Sequence, residues 1–116
     1  DVLARQAIPV VLSSIPIYDT ETGSMEDNIG EYRAAAQAAA DELNVPFIDL
    51  GGQFKTFLGG LSIPEAEEYF IDESTESKPR TDRVHLSDQG AAKAADIIAD
   101  GLKESGSIRV LKDYMN

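Results

Sequence analysis

Val45-Pro46-Phe47-Ile48-Asp49-Leu50 is a short apolar run, and Ile8-Pro9-Val10-Val11-Leu12 is its counterpart upstream. Continuous rather than alternating apolar runs of this length mark strands covered on both faces, as in a parallel sheet. Pro9 falls near the beginning of its run, where a missing N–H is tolerated. Between the two runs the sequence predicts a helix. Ser24 is placed as its N-cap, with Asp27 three residues on in the manner of a capping box. Ile29, Tyr32, Ala36, Ala39 or Ala40, and Leu43 recur at helical spacing. The small side chains from Ala34 to Ala40 favour helix and permit close approach to a sheet. Asn44 and Pro46 end the helix. Strand, helix, strand in this order is the signature of an α/β protein with parallel strands.

Downstream, Gly51 and Gly52 are expected to break the second run. Phe54, Phe57, Leu58 and Leu61 then predict a short helix stopped by Gly59-Gly60, and Pro64 is placed to start another turn from Glu65 to Phe70. Residues 71–83 read as a polar, irregular stretch. Ser87 is the next N-cap, with Asp88 in the first turn. Ala91, Ala94 or Ala95, Ile98 and Leu102 form the stripe of a last helix reaching about Glu104. Two strands are too few for three amphipathic helices, because an isolated parallel pair is not stable by itself. The expectation is therefore a three-layer α/β/α sandwich of which this chain is the C-terminal portion. The remaining strands would come from an N-terminal segment or a second chain. The opening Asp1-Val2-Leu3-Ala4, without Met, reads as the tail of a helix running into the first strand.

The 116 residues suit one domain. Ten basic against 21 acidic residues give a formal net charge of −11, a balance that disfavours wrapping nucleic acid. No apolar run approaches the roughly 20 residues of a membrane span. With no Cys there is no disulfide framework, thiolate metal site or thiol nucleophile. With a single His, all imidazole chemistry must pass through His85.

His85 stands in Thr81-Asp82-Arg83-Val84-His85-Leu86-Ser87-Asp88-Gln89-Gly90-Ala91-Ala92. Asp82 lies three residues before it, in a loop that leads into a capped helix. That spacing lets the carboxylate hold the imidazole Nδ1–H and leaves Nε2 facing a substrate or nucleophile. A surface histidine beside an acid is the structural alternative. Asp82, His85 and Asp88, with Asp72, Glu73 and Glu76, offer hard ligands, but one His among scattered acids is a poor metal signature, and neither metal nor cofactor is expected. Lys78, Arg80 and Arg83 place three positive charges in an acidic chain, either drawing an anionic substrate to the loop or balancing the nearby acids. Tyr18, after the first strand, is placed to line the same cleft or to pack in its loop. Phe54, Phe57 and Phe70 follow the apolar stripe and belong to the core. Ser13 and Ser14 follow a strand end but lack the glycine-flanked turn of an exposed nucleophile.

Asp82-x-x-His85, with Ser87 and Gly90-Ala91 opening the last helix, resembles the C-terminal catalytic block of the SGNH (GDSL-type) hydrolases. The first apolar run with Ser13-Ser14, the helix with Tyr32, Asn44 to Leu50, and Tyr69-Phe70 are similar to the rhamnogalacturonan acetylesterase branch. The resemblance implies a flavodoxin-like α/β/α sandwich, secretion, and a carbohydrate acetylesterase acting on an acetylated polysaccharide. It also implies His85 as general base and Asp82 as its orienting carboxylate. The family's Gly-Asp-Ser-type nucleophile motif and its oxyanion-hole Gly and Asn do not occur here, so this chain would bring half of an active site, and a missing N-terminal segment or second chain the rest. Two other readings stand beside it: a non-catalytic α/β interaction module, and a lipid or simple-ester hydrolase of the same fold. The absence of a long apolar surface helix weighs against a lipid substrate.

Overall fold

The computed structural model describes residues 3–25, 30–72 and 84–104. After a 3₁₀ turn at Leu3–Arg5, the elements are β1 (Val11–Leu12), β2 (Tyr18–Asp19), β3 (Ser24–Met25), α1 (Gly30–Leu43), β4 (Phe47–Ile48), α2 (Leu50–Gly59), α3 (Ile63–Glu67) and α4 (Asp88–Glu104). β1 and β4 pair in parallel, with Val11 opposite Phe47 and Leu12 opposite Ile48. The architecture is α/β with a parallel pair joined through a helix, as the two apolar runs predict.

α1 ends as its sequence requires. Asn44 adopts a left-handed conformation at φ 54°, which asparagine tolerates better than most residues. Its N–H bonds the Asp41 carbonyl at 3.2 Å, and the Val45 N–H bonds the Ala40 carbonyl at 2.9 Å. This double closure is a Schellman motif. It turns the chain directly into β4.

Four expectations are corrected. Ser24 is not a helix N-cap. It lies in β3, which pairs antiparallel with β2 so that Asp19 faces Ser24 and Tyr18 faces Met25. The Asp19 carboxylate accepts from the Glu21 N–H and the Thr22 hydroxyl, and Gly23 takes a positive φ of 69°. These local bonds favour a hairpin over a helix start. Asp27 and Ile29 lie outside the described residues. Next, the buried face of α1 is not Tyr32 and Leu43, which are 75% and 60% exposed. Ala36 and Ala40 turn inward as expected, and Arg33 joins them in place of Tyr32. The second run does end ahead of Gly51 and Gly52, but no gap precedes the next helix: the two glycines form the first turn of α2. Asp49 caps that helix by accepting from the Gly52 N–H at 3.1 Å. A Cβ at Gly51 would overlap the Ser14 carbonyl oxygen, so glycine is what lets the helix start so close to the end of β1. Finally, the inner stripe of α4 is Gly90, Ala94 and Ile97, with Ile98 and Leu102 half-buried and Ala91 exposed.

The core sits chiefly between α2, α3, α4 and the β2–β3 hairpin rather than on the parallel pair. Tyr18, Met25, Leu50, Phe54, Leu58, Ala66, Phe70, Ala94 and Ile97 form one buried cluster. The Tyr18 and Phe70 rings stack at 5.6 Å. Phe54 meets Phe57 and Tyr69 edge-to-face at 6.4 and 6.5 Å, a geometry that adds to plain burial. The parallel pair meets α4 through Ile48, whose side chain fills the space a Cβ at Gly101 would need. β1 departs from the doubly covered strand of the sequence reading: Leu12 is 40% and Ile8 55% exposed.

Candidate active site

His85 is held by its backbone. Phe70 and Leu86 form an antiparallel bridge. Around it the Ile71 N–H bonds the His85 carbonyl at 2.9 Å, and the Ser87 N–H bonds the Tyr69 carbonyl at 3.0 Å. Phe70 plugs the core beneath this bridge at 2% exposure. The His85 side chain is exposed. Val84, next to it, is also exposed, so the loop presents its residues outward while its backbone is fixed.

The step from loop to helix is equally determined. Ser87 is the N-cap that the sequence predicts: its Oγ accepts from the Gly90 N–H at 3.2 Å. The same hydroxyl donates to the Glu68 carbonyl at 2.6 Å. A Cβ at Gly90 would overlap the Tyr69 carbonyl oxygen. Glycine at this position is therefore a packing requirement: it lets the first turn of α4 lie against the Tyr69–Ile71 segment that clamps the histidine.

Of the other candidate residues, Asp82, Arg80 and Arg83 lie outside the described residues, as do Lys78, Glu73 and Glu76. Tyr18 is placed otherwise than the cleft-lining expectation. It is 1% exposed and its ring packs on Phe70 in the core. Burial pushes its phenol above the usual range, and the nearby Glu67 and Asp19 carboxylates push it further. Phe54 and Phe70 are core residues as expected, and Phe57 is half-buried with the Lys93 ammonium 4.3 Å from its ring centroid. Among the described residues no group of three His, Asp or Glu side chains is placed to hold a metal ion.

Ser13 has a structural place. It is 2% exposed, its hydroxyl donates to Asp49 Oδ1 at 2.7 Å, and it accepts from the Gly51 N–H at 2.9 Å. The hydroxyl thus ties the end of β1 to the N-terminus of α2, with both its donor and acceptor capacity used. Arg33 stands 4.0 Å from the same Asp49 carboxylate, a partly exposed pair that adds little. Ser13→Ala leaves the buried Gly51 N–H without its partner and is expected to lower stability by about 1–3 kcal/mol. Urea unfolding checks the loss. A variant that unfolds at the same urea concentration as the unsubstituted protein would contradict this placement.

Two features escaped the sequence reading. Ser62 caps α3 in a full capping box with Glu65, a pattern written in Ser62-Ile63-Pro64-Glu65. A cleft of about 380 Å³ also opens between α3 and the start of α4, lined by Leu61, Pro64, Glu65, Glu68, Tyr69 and Gln89. No periodicity in the sequence announces it.

Fold and site define an α/β protein whose last helix is entered through a clamped, outward-facing histidine loop. Over 118 residues the chain is 33% identical to the rhamnogalacturonan acetylesterase RhgT of Bacillus subtilis (strain 168). The alignment takes in 96% of this chain and 50% of that protein, so the chain spans about half the length of the curated relative it matches. The resemblance to the rhamnogalacturonan acetylesterases is thereby borne out for the chain as a whole. No family model and no solved structure matches the chain.

Proposed function

We propose that this chain is the C-terminal portion of a secreted serine ester hydrolase of the SGNH type that removes acetyl groups from a polysaccharide. The observation that carries the reading is the likeness to an acetylesterase along nearly the whole chain. The exposed side chain of His85 on a loop fixed by hydrogen bonds at Ile71 and Ser87 supports it. Asp82 holds Nδ1–H of His85. Nε2 takes the proton of a serine hydroxyl as its oxygen attacks the ester carbonyl, and His85 returns that proton to the departing sugar hydroxyl. An acetyl-enzyme remains, and His85 then activates the water that releases acetate. Arg80 and Arg83 draw anionic sugar residues toward the loop.

The serine comes from outside these 116 residues, in a preceding segment or a second chain. Ser13 is committed to Asp49 and Gly51. Among the described residues the parallel pair is two-stranded, and a further strand on the β1 side fits this reading. The Val11 and Ser13 N–H groups point to β4, so alternation along the ladder turns the Leu12 backbone to the opposite edge. Leu12 is 40% exposed, and an added strand with its helix would cover it.

Acetate released from acetylated rhamnogalacturonan by the complete protein tests this reading. Release above the uncatalysed rate is expected. Its absence on this and on a small acetyl ester would leave the chain as an interaction module.

A further inference from the structure

We propose that the cleft between α3 and the start of α4 is a subsite for one neutral sugar ring, set beside the His85 loop. As part of an acetylesterase it rests on the function proposed above, but sugar binding at this place stands by itself. Its volume of about 380 Å³ falls within the usual range for small-molecule sites.

The lining suits a hydroxyl-rich, uncharged ring. Leu61 and Pro64 give apolar surface for the C–H face of a pyranose. Tyr69 gives an aromatic wall whose position is fixed, because its ring meets Phe57 at 5.1 Å and 79° and Phe54 at 6.5 Å and 83°. The exposed Gln89 brings an amide that both donates and accepts. Glu68 brings carboxylate oxygens that accept from sugar hydroxyls. Glu65 uses one of its oxygens on the Ser62 N–H and hydroxyl, at 2.9 and 2.8 Å, and these bonds hold its carboxyl below the usual range. Two carboxylates, with no basic residue among the described lining side chains, repel a uronate and favour a neutral sugar.

The cleft and the histidine loop are parts of one hydrogen-bonded unit. Ser87, two residues after His85, donates through its hydroxyl to the Glu68 carbonyl and through its N–H to the Tyr69 carbonyl. Gln89 follows in the same turn. A sugar held here is therefore positioned by the same bonds that fix His85.

The test is an amide-resolved NMR titration of the complete protein with neutral β-1,4-galactotriose and with charged α-1,4-galacturonotriose. The neutral sugar should move the Tyr69, Ser87 and Gln89 resonances saturably, and the charged one should bind at this cleft, read from the same three resonances, at least about tenfold more weakly. Gln89→Ala and Glu68→Gln, both exposed positions, should each weaken the neutral sugar by about fivefold. Absence of saturable shifts to about 20 mM, a weak limit for a sugar site, would overturn the proposal. So would equal binding of the two sugars, or unchanged binding by both variants. The titration reads binding and not turnover. Its failure is thus separate from a failure of the esterase reading, which shows in acetate release.

Discussion

His85→Ala in the complete protein should lower acetyl release by about 10²–10⁴-fold while leaving the fold intact. The activity loss follows from the proposed role of His85 as the base that takes up and returns the serine proton. The intact fold follows from where the loop is anchored: the Ile71 N–H bonds the His85 backbone carbonyl, which alanine keeps. The side chain is exposed and fills no part of the core cluster. Turnover on an acetylated substrate and a thermal melt of the same preparation check both halves. His85→Gln should be equally inactive, since a glutamine amide cannot take up and return a proton. Near-normal turnover by either variant would remove His85 from the mechanism.

The largest expected effect on stability is at Phe54. This side chain is fully buried. It touches Phe57 and Tyr69 edge-to-face and belongs to the cluster joining α2, α4 and the β2–β3 hairpin. Phe54→Ala should cost about 3–5 kcal/mol through lost burial and the cavity left behind. That cost corresponds to a fall in melting temperature of more than about 10 °C. Phe54→Leu fills most of the volume and should cost about half as much or less. Melting followed by circular dichroism checks the series. A fall of only about 2 °C for Phe54→Ala would mean the cluster around α2 is not what holds the chain together.

What was legible in the sequence had a local physical cause. The two apolar runs pointed to the parallel pair because short continuous apolar stretches between helix signals favour strands, although β1 is less covered than its run suggested. Asn44 marked the end of α1 because few residues adopt its conformation, and Ser87 marked the start of α4 because its hydroxyl meets a free N–H. The misreadings had causes of the same kind. A pair of two-residue strands leaves no periodicity, so Ser24 read as a cap when it belongs to a hairpin. In α1 nearly every position near the sheet is alanine, so hydrophobicity did not fix the helix phase, and Tyr32 was assigned inward when Arg33 takes that side. Gly51 and Gly52 read as the end of the strand run, which holds, but the helix already begins at Leu50, and the approach of the Ser14 carbonyl requires glycine at position 51.

The site was legible in chemistry more than in geometry. His85 was singled out by being the one imidazole, and its loop proves to be fixed from both sides by Tyr69 and Ile71. Those clamping residues are distant in sequence, and only the antiparallel bridge at Phe70 and Leu86 brings them there. Tyr18 followed the rule that residues after a strand line the active edge, but a stacked partner in Phe70 drew it into the core. The cleft at Tyr69 and Gln89 joins residues from two helices and a turn, a combination no linear pattern contains.

A fluorophosphonate that phosphonylates activated serines, with loss of fluoride, reports most directly on the division of labour proposed here. The complete protein is labelled, digested, and the modified peptide sequenced. The account predicts that the label sits on a serine outside these 116 residues and that His85→Ala nearly abolishes its incorporation. A label on Ser13 or Ser14, or undiminished labelling of the alanine variant, would contradict it.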